Sequence, residues 1–142
     1  MPKTLLIADD ALIIRQIIKD IAAAAGWTPV AEAGNGREAV ELYRQFRPDA
    51  VTLDLVMPEH DGLYALRGIM EHDPQAKVLL VSALEQRGVL KEAFKAGAAD
   101  FVSKPFDKEN LKATLARLVP ETGASEDPGA PPPRADSSPA MN

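Results

Sequence analysis

The chain has 142 residues, enough for one domain or two small ones, and its 21 acidic against 16 basic side chains give a formal net charge of −5. That balance argues against a phosphate-backbone footprint, which needs clustered Lys and Arg. The lack of cysteine excludes a disulfide scaffold, a thiolate nucleophile and a cysteine zinc site, and two histidines, His60 and His72, are too few for a histidine-rich metal cluster.

The N-terminal run after Met1-Pro2-Lys3 already carries Asp9 and Asp10, unlike a signal peptide. No apolar stretch approaches the ~20 residues that cross a bilayer. Thr4 to Ala8 reads as a short strand buried on both faces. Residues 12–25 place apolar side chains at 13, 14, 17, 18 and 21, the spacing of a helix, and Gly26 supplies its stop. Thr28 to Glu32 is a second strand. Gly34-Asn35-Gly36 turns the chain into a helix over 37–46, read through Ala39, Val40, Tyr43 and Phe46. Pro48 precedes a third strand, Ala50 to Leu53, and residues 62–72 form a helix with Leu63, Leu66, Ile69 and Met70 inward. Lys77 to Val81 is the fourth strand, followed by a helix over 85–96 that Gly97 stops. Ala98 to Val102 is the fifth strand, and Asp107 caps a last helix over 108–118 with Leu111, Leu115 and Leu118 inward. Five strand–helix units with short loops predict an α/β fold: an open, doubly wound parallel sheet with helices on both faces. An eight-unit barrel would need about twice the length.

From Pro120 the composition changes. The last 23 residues hold six of the twelve prolines and no Ile, Leu, Val or aromatic residue. Such a segment cannot bury enough apolar surface to offset its ordering entropy. The expected division is a globular part over 1–119 and a Pro/Ala-rich flexible tail or linker over 120–142, locally stiff at Pro131-Pro132-Pro133. Without the tail's four acids and one base, the globular part keeps 17 acids and 15 bases, a net charge of about −2.

The polar residues gather where strands end. The first strand runs into Asp9-Asp10, the third into Asp54 and the fourth into Ser82, and the fifth is followed by Lys104-Pro105. In an open parallel sheet the C-terminal strand ends share one edge, and ligands bind there. Three converging carboxylates repel one another unless a cation compensates them. An all-oxygen set points to a hard ion, Mg²⁺ before Zn²⁺. With the Lys104 ammonium and the Ser82 hydroxyl, the edge suits an incoming phosphoryl group. Asp54, central among the strand ends, is then the nucleophile. The competing assignments are structural: Asp10 or Ser82 as a helix cap, Asp54 as a loop acid, Lys104 as a surface lysine. The Lys104–Pro105 bond is a candidate cis peptide. His60 and His72 read as exposed residues, and Gly34-Asn35-Gly36 is too short for a dinucleotide fingerprint.

Taken in order, Leu6-Ile7-Ala8-Asp9-Asp10, Asn35-Gly36-Arg37-Glu38-Ala39, Asp54-Leu55-Val56-Met57-Pro58 with Gly62, Val81-Ser82-Ala83, Gly97-Ala98 and Lys104-Pro105-Phe106 resemble a two-component response regulator receiver domain. Within that family the stand-alone chemotaxis receivers are the most similar. The match spans residue 4 to about 119. The resemblance implies a flavodoxin-like strand order of 2-1-3-4-5. It implies that Asp54 accepts a phosphoryl group from a sensor histidine kinase or phosphotransfer protein. Asp9, Asp10, Asp54 and the backbone carbonyl of Val56 would hold Mg²⁺, and Ser82 and Lys104 would contact the phosphoryl oxygens. Phe101 stands at the family's aromatic switch position, with a plain core role as the alternative. Ser82 and Phe101 would then reshape the face made by the fourth helix, fifth strand and fifth helix, where a protein target or a second receiver docks. The implied setting is the cytoplasm, with no membrane insertion and no direct nucleic-acid contact. The chemistry would be on the protein itself, not on an external substrate.

Val56 and Leu84, each two residues beyond a site residue, are apolar where the fast-dephosphorylating chemotaxis receiver carries polar groups. The resemblance therefore implies slow self-dephosphorylation, unless both side chains only pack locally. Other readings remain open at this level. One is the receiver part of a longer regulator whose output domain, DNA-binding or otherwise, follows the tail. Another is a pseudo-receiver that works without phosphorylation. A flavodoxin-like electron carrier shares the architecture but would need flavin-binding loops.

Overall fold

Alternation along the strands decides the layers. In β1 (Lys3–Ala8), Leu6 and Ala8 point to one face of the sheet, and Leu5 and Ile7 to the other. The same split runs through β3 (Ala50–Leu53) and β4 (Val78–Ala83). Both faces are apolar, so both must be covered, and a strand with no polar face belongs inside a parallel sheet. The computed structural model of the chain describes residues 3–58, 61–83 and 87–119. The expectations for the 120–142 tail, for His60 and for Leu84 lie outside the described residues.

The remaining elements are α1 (Leu12–Ala24), β2 (Trp27–Ala33), α2 (Gly36–Phe46), α3 (Gly62–His72), α4 (Arg87–Ala96), β5 (Asp100–Lys104) and α5 (Lys108–Leu118). All strand pairs are parallel, and the sheet order is β2-β1-β3-β4-β5, the flavodoxin-like arrangement expected. One core lies under α2, α3 and α4, around Val40, Tyr43, Leu66, Ile69 and Ala93. The other lies under α1 and α5, around Ile18, Ile21, Leu111, Leu115 and Leu118. The chain leaves β1 toward β2 on one side and returns to β3 on the other. The crevice between the ends of β1 and β3 is therefore the topological switch point of the sheet.

Helix ends are set by local chemistry. Asn35 caps α2 by accepting the Glu38 N–H at 2.8 Å, while the Glu38 carboxylate accepts the Gly34 N–H at 2.9 Å. Asp107 caps α5, as expected, through the Asn110 N–H at 2.7 Å. Gly26 and Gly97, with φ of +93° and +119°, follow α1 and α4 in the left-handed region that glycine favours. Asp10 does not cap α1: the N-cap residue is Ala11, with no side-chain cap bond. Instead the Asp9 carboxylate accepts the Ala11 N–H at 2.9 Å.

β1 and β2 differ from the sequence reading by single residues, and β4 and β5 are shifted toward their C-terminal ends. Ser82, expected just past the fourth strand, lies inside β4, and Lys104, expected beyond the fifth, is the last residue of β5. The ladder between them explains both: Ser82 pairs with Ser103 and Ala83 with Lys104, so each strand prolongs the other. Ala98 in turn stays outside β5, because its N–H closes on Ala93 of α4 at 3.1 Å. The apolar residues of α1 also divide. Ile18 and Ile21 are buried, whereas Ile13 and Ile17 are exposed, as is Phe46 at the end of α2.

Candidate active site at the strand ends

β1 delivers Asp9 and Asp10, β3 delivers Asp54, β4 delivers Ser82 and β5 delivers Lys104 to one edge, as the sequence predicts. Gly62 sets the floor. A Cβ at this position would lie 2.2 Å from the Asp54 carbonyl oxygen, so a glycine is required where α3 starts against the β3 end.

The side chains form one connected group. Lys104 Nζ donates to Asp9 Oδ2 at 2.7 Å and to Asp54 Oδ2 at 3.2 Å. Ser82 Oγ donates to Asp54 Oδ1 at 3.3 Å, and the Val56 N–H donates to the same oxygen at 3.2 Å. Asp9, Asp54 and Ser82 are buried, and Asp10 is exposed. One carboxylate oxygen from each of Asp9, Asp10 and Asp54 lies within 4.8 Å of the others. The Val56 side chain is 54% exposed beside the site, so it borders the approach to Asp54 instead of filling the core. Phe101 on β5 is partly buried and packs against the core that also holds Val89, Leu90 and Ala93 of α4. The Lys104–Pro105 peptide is cis. His72 is exposed, as expected, and lies edge-on to Tyr43.

Burial pushes the Asp54 carboxyl above its ordinary value; the Val56 N–H opposes this, the Asp9 charge reinforces it, and Lys104 opposes it. Burial also works against the Lys104 ammonium. Its hydrogen bond to Asp9 and the charge of Asp54 outweigh that and leave its pKa raised. The balance is uneven: three carboxylates face one ammonium. A hard divalent cation with oxygen ligands supplies the missing charge, and the donor set here consists of carboxylate oxygens. The residues present therefore fit Mg²⁺.

The sequence reading missed the support beneath Asp9. The Arg15 guanidinium donates to the Asp9 backbone carbonyl at 2.6 Å and pairs with Glu32 at 3.0 Å. Arg15 sits six residues after Asp9, but its partner on β2 becomes visible only once the sheet order is known.

Residues 5–116 match the family described as response regulator receiver domain. The chain is 46% identical to chemotaxis protein CheY of Thermotoga maritima over 118 residues, covering 83% of this chain and 98% of that protein. It is 49% identical to chemotaxis protein CheY of Listeria monocytogenes over 115 residues, covering 81% and 97%. Among solved structures, the CheX–CheY–BeF3–Mg²⁺ complex of Borrelia burgdorferi aligns with a TM-score of 0.79 at 32% identity, covering 83% of this chain and 90% of that chain. The chain belongs to the response regulator receiver family. Within it the chain is CheY-like, and the Asp9, Asp10 and Asp54 cluster is its Mg²⁺-dependent phosphorylation site. The chemistry is self-directed phosphotransfer and autodephosphorylation. No described helix is long and apolar enough to cross a membrane.

A pH dependence follows from the raised Asp54 pKa. A carboxyl whose folded pKa lies above its unfolded value favours the fold while protonated. That contribution is lost as pH rises from the unfolded through the folded value. At pH 7 without metal the ionised group therefore costs stability. Asp54→Asn should melt above the wild type in EDTA at pH 7, and the gap should close as pH falls through the carboxylate range. Mg²⁺ at about 100 times its Kd should stabilise the wild type by about 2.7 kcal/mol and the variant by less. Equal melting temperatures at pH 7 in EDTA would contradict this balance.

Proposed function

We propose that the protein is a phosphorylation-activated switch in which Asp54 is the phosphoacceptor. The observation that carries this reading is the hydrogen bonding of the Asp54 carboxylate, whose oxygens are held separately: Oδ2 by Lys104 and Oδ1 by Ser82 and the Val56 N–H. The nucleophile is thereby fixed in orientation at the switch point. The donor is a phosphohistidine on a sensor kinase or phosphotransfer protein. An Asp54 oxygen attacks phosphorus in line, the P–N bond breaks, and the departing imidazole nitrogen takes up a proton. The product is an acyl phosphate on Asp54. Asp9, Asp10, Asp54 and the Val56 carbonyl would hold Mg²⁺, which would supply positive charge beside the phosphoryl oxygens. Lys104 gives up its bond to the Asp54 oxygen and takes a phosphoryl oxygen, and Ser82 donates to another. Water then attacks phosphorus, releases inorganic phosphate and restores the carboxylate.

Output follows from the same contacts. As Ser82 turns to the phosphoryl group, Phe101 moves inward, and the α4–β5–α5 face presents a new surface to a protein target or a second receiver. At the family level, receiver domains interact with histidine kinases and phosphatases through the domain surface. The work is done in the cytoplasm, with 1–119 as the switch and 120–142 as tail or linker.

Incubation with acetyl phosphate should add the mass of one phosphoryl group with Mg²⁺, little without it, and none to Asp54→Ala. A gain that survives Asp54→Ala would move the acceptor elsewhere. Val56 and Leu84 are apolar at the two positions where the resemblance leads one to expect a polar side chain that positions the attacking water. Val56→Asn combined with Leu84→Glu should therefore shorten the phosphorylated lifetime several-fold in a decay assay. An unchanged lifetime would mean that these positions do not control hydrolysis.

A further inference from the structure

Asp9 is anchored at every polar atom. Its N–H donates to the Ala33 carbonyl at 3.0 Å. Its carboxylate accepts from Ala11 N at 2.9 Å and from Lys104 at 2.7 Å. Its carbonyl accepts from Arg15 Nη1 at 2.6 Å. That last bond has a special consequence, because the Asp9 carbonyl shares a planar peptide with the Asp10 nitrogen. Asp10 is the exposed acid of the cluster, and its carboxylate makes no hydrogen bond or ion pair among the described residues. Its direction depends on the peptide that carries it.

Arg15 reaches this peptide from α1 while its Nε holds Glu32 Oε1 at 3.0 Å. Glu32 lies on β2, next to the Ala33 whose carbonyl binds Asp9, and its other carboxylate oxygen is taken by Lys19. The guanidinium packs beside Gly34, where a Cβ would stand in ordinary contact with Arg15 Nη1 at 3.6 Å. The Arg15 side chain is 17% exposed. It spends two separate donors on two partners in different elements, which a planar guanidinium can do and an ammonium on a flexible stem cannot reproduce.

We infer that Arg15, braced by Glu32, is a positioning residue that orients the Asp9–Asp10 peptide and thereby sets the Mg²⁺ affinity of the site. It touches neither the ion nor the phosphoryl group. A tether that only joins α1 to β2 would support the fold equally well, and the two roles separate in their Mg²⁺ dependence. The inference rests on Mg²⁺ binding at these carboxylates.

The test uses the full chain, titrated with Mg²⁺ alone by calorimetry, well below the metal-free melting temperature of each variant. Initial rates of acetyl phosphate labelling are measured across the same Mg²⁺ range. Arg15→Met and Arg15→Lys should each weaken Mg²⁺ binding by about tenfold or more, the usual cost of losing a partner that orients a metal ligand. Glu32→Gln should weaken it less. At saturating Mg²⁺ the labelling rate should return to the wild-type value, because the nucleophile and Lys104 are untouched. Arg37→Met, which breaks an exposed pair with Glu41 on α2, should leave the affinity unchanged. If Arg15→Met does not fold, Arg15→Lys and Glu32→Gln carry the test. Wild-type Mg²⁺ affinity in the Arg15 variants, or a lowered maximal rate at unchanged affinity, would overturn the inference. A wild type that binds no Mg²⁺ would overturn the metal site and the strut together.

Discussion

Lys104 spans the carboxylates of Asp9 and Asp54, and the structure around it follows from the charge that this contact leaves over. One ammonium cannot neutralise three carboxylates. Burial removes the water that would otherwise screen Asp9 and Asp54, so the surplus negative charge stays concentrated at the ends of β1 and β3. A site with that surplus favours a divalent ion. With the ion present, it favours a ligand that brings several anionic oxygens. Burial, reinforced by the Asp9 charge, raises the Asp54 pKa and makes the metal-free ionised state the least favourable one for the fold.

The fold makes this imbalance affordable. Each acid follows a strand whose buried residues are almost all apolar, Leu5 to Ala8 in β1 and Ala50, Val51 and Leu53 in β3, so the two cores hold the strand ends in place without help from the site. The close approach at Gly62 and the Ser82–Ser103 pairing then fix where the β3 and β4 ends stop. Packing supplies the precision, and the polar residues are free to be electrostatically unsatisfied until ligand arrives.

Much of this was legible from the residue order. Doubly apolar strands such as Leu5-Leu6-Ile7-Ala8 announce a parallel sheet, and in such a sheet the residues after the strands must share an edge. Asp9, Asp10, Asp54, Ser82 and Lys104 are therefore placed on one edge by residue order alone. Boundaries that two elements set jointly are not encoded in this way. The lengths of β4 and β5 are set by their mutual ladder, which neither segment encodes alone. Helical spacing likewise found α1 but could not rank its apolar positions, because Ile13 and Ile17 continue the row that Ile14, Ile18 and Ile21 begin. The placement of α1 against the sheet and α5 decides which of them is covered. Arg15 escaped notice for a related reason: its role depends on β2 lying beside β1.

The central claim is that Asp54 is poised by a charge deficit that a divalent ion fills. The most direct measurement is the pH titration of the Asp54 side-chain carboxyl by carbon-detected NMR, with and without saturating Mg²⁺. The account predicts a pKa above the ordinary aspartate value in EDTA and a marked fall when Mg²⁺ is added. An ordinary pKa in EDTA that Mg²⁺ leaves unmoved would contradict it.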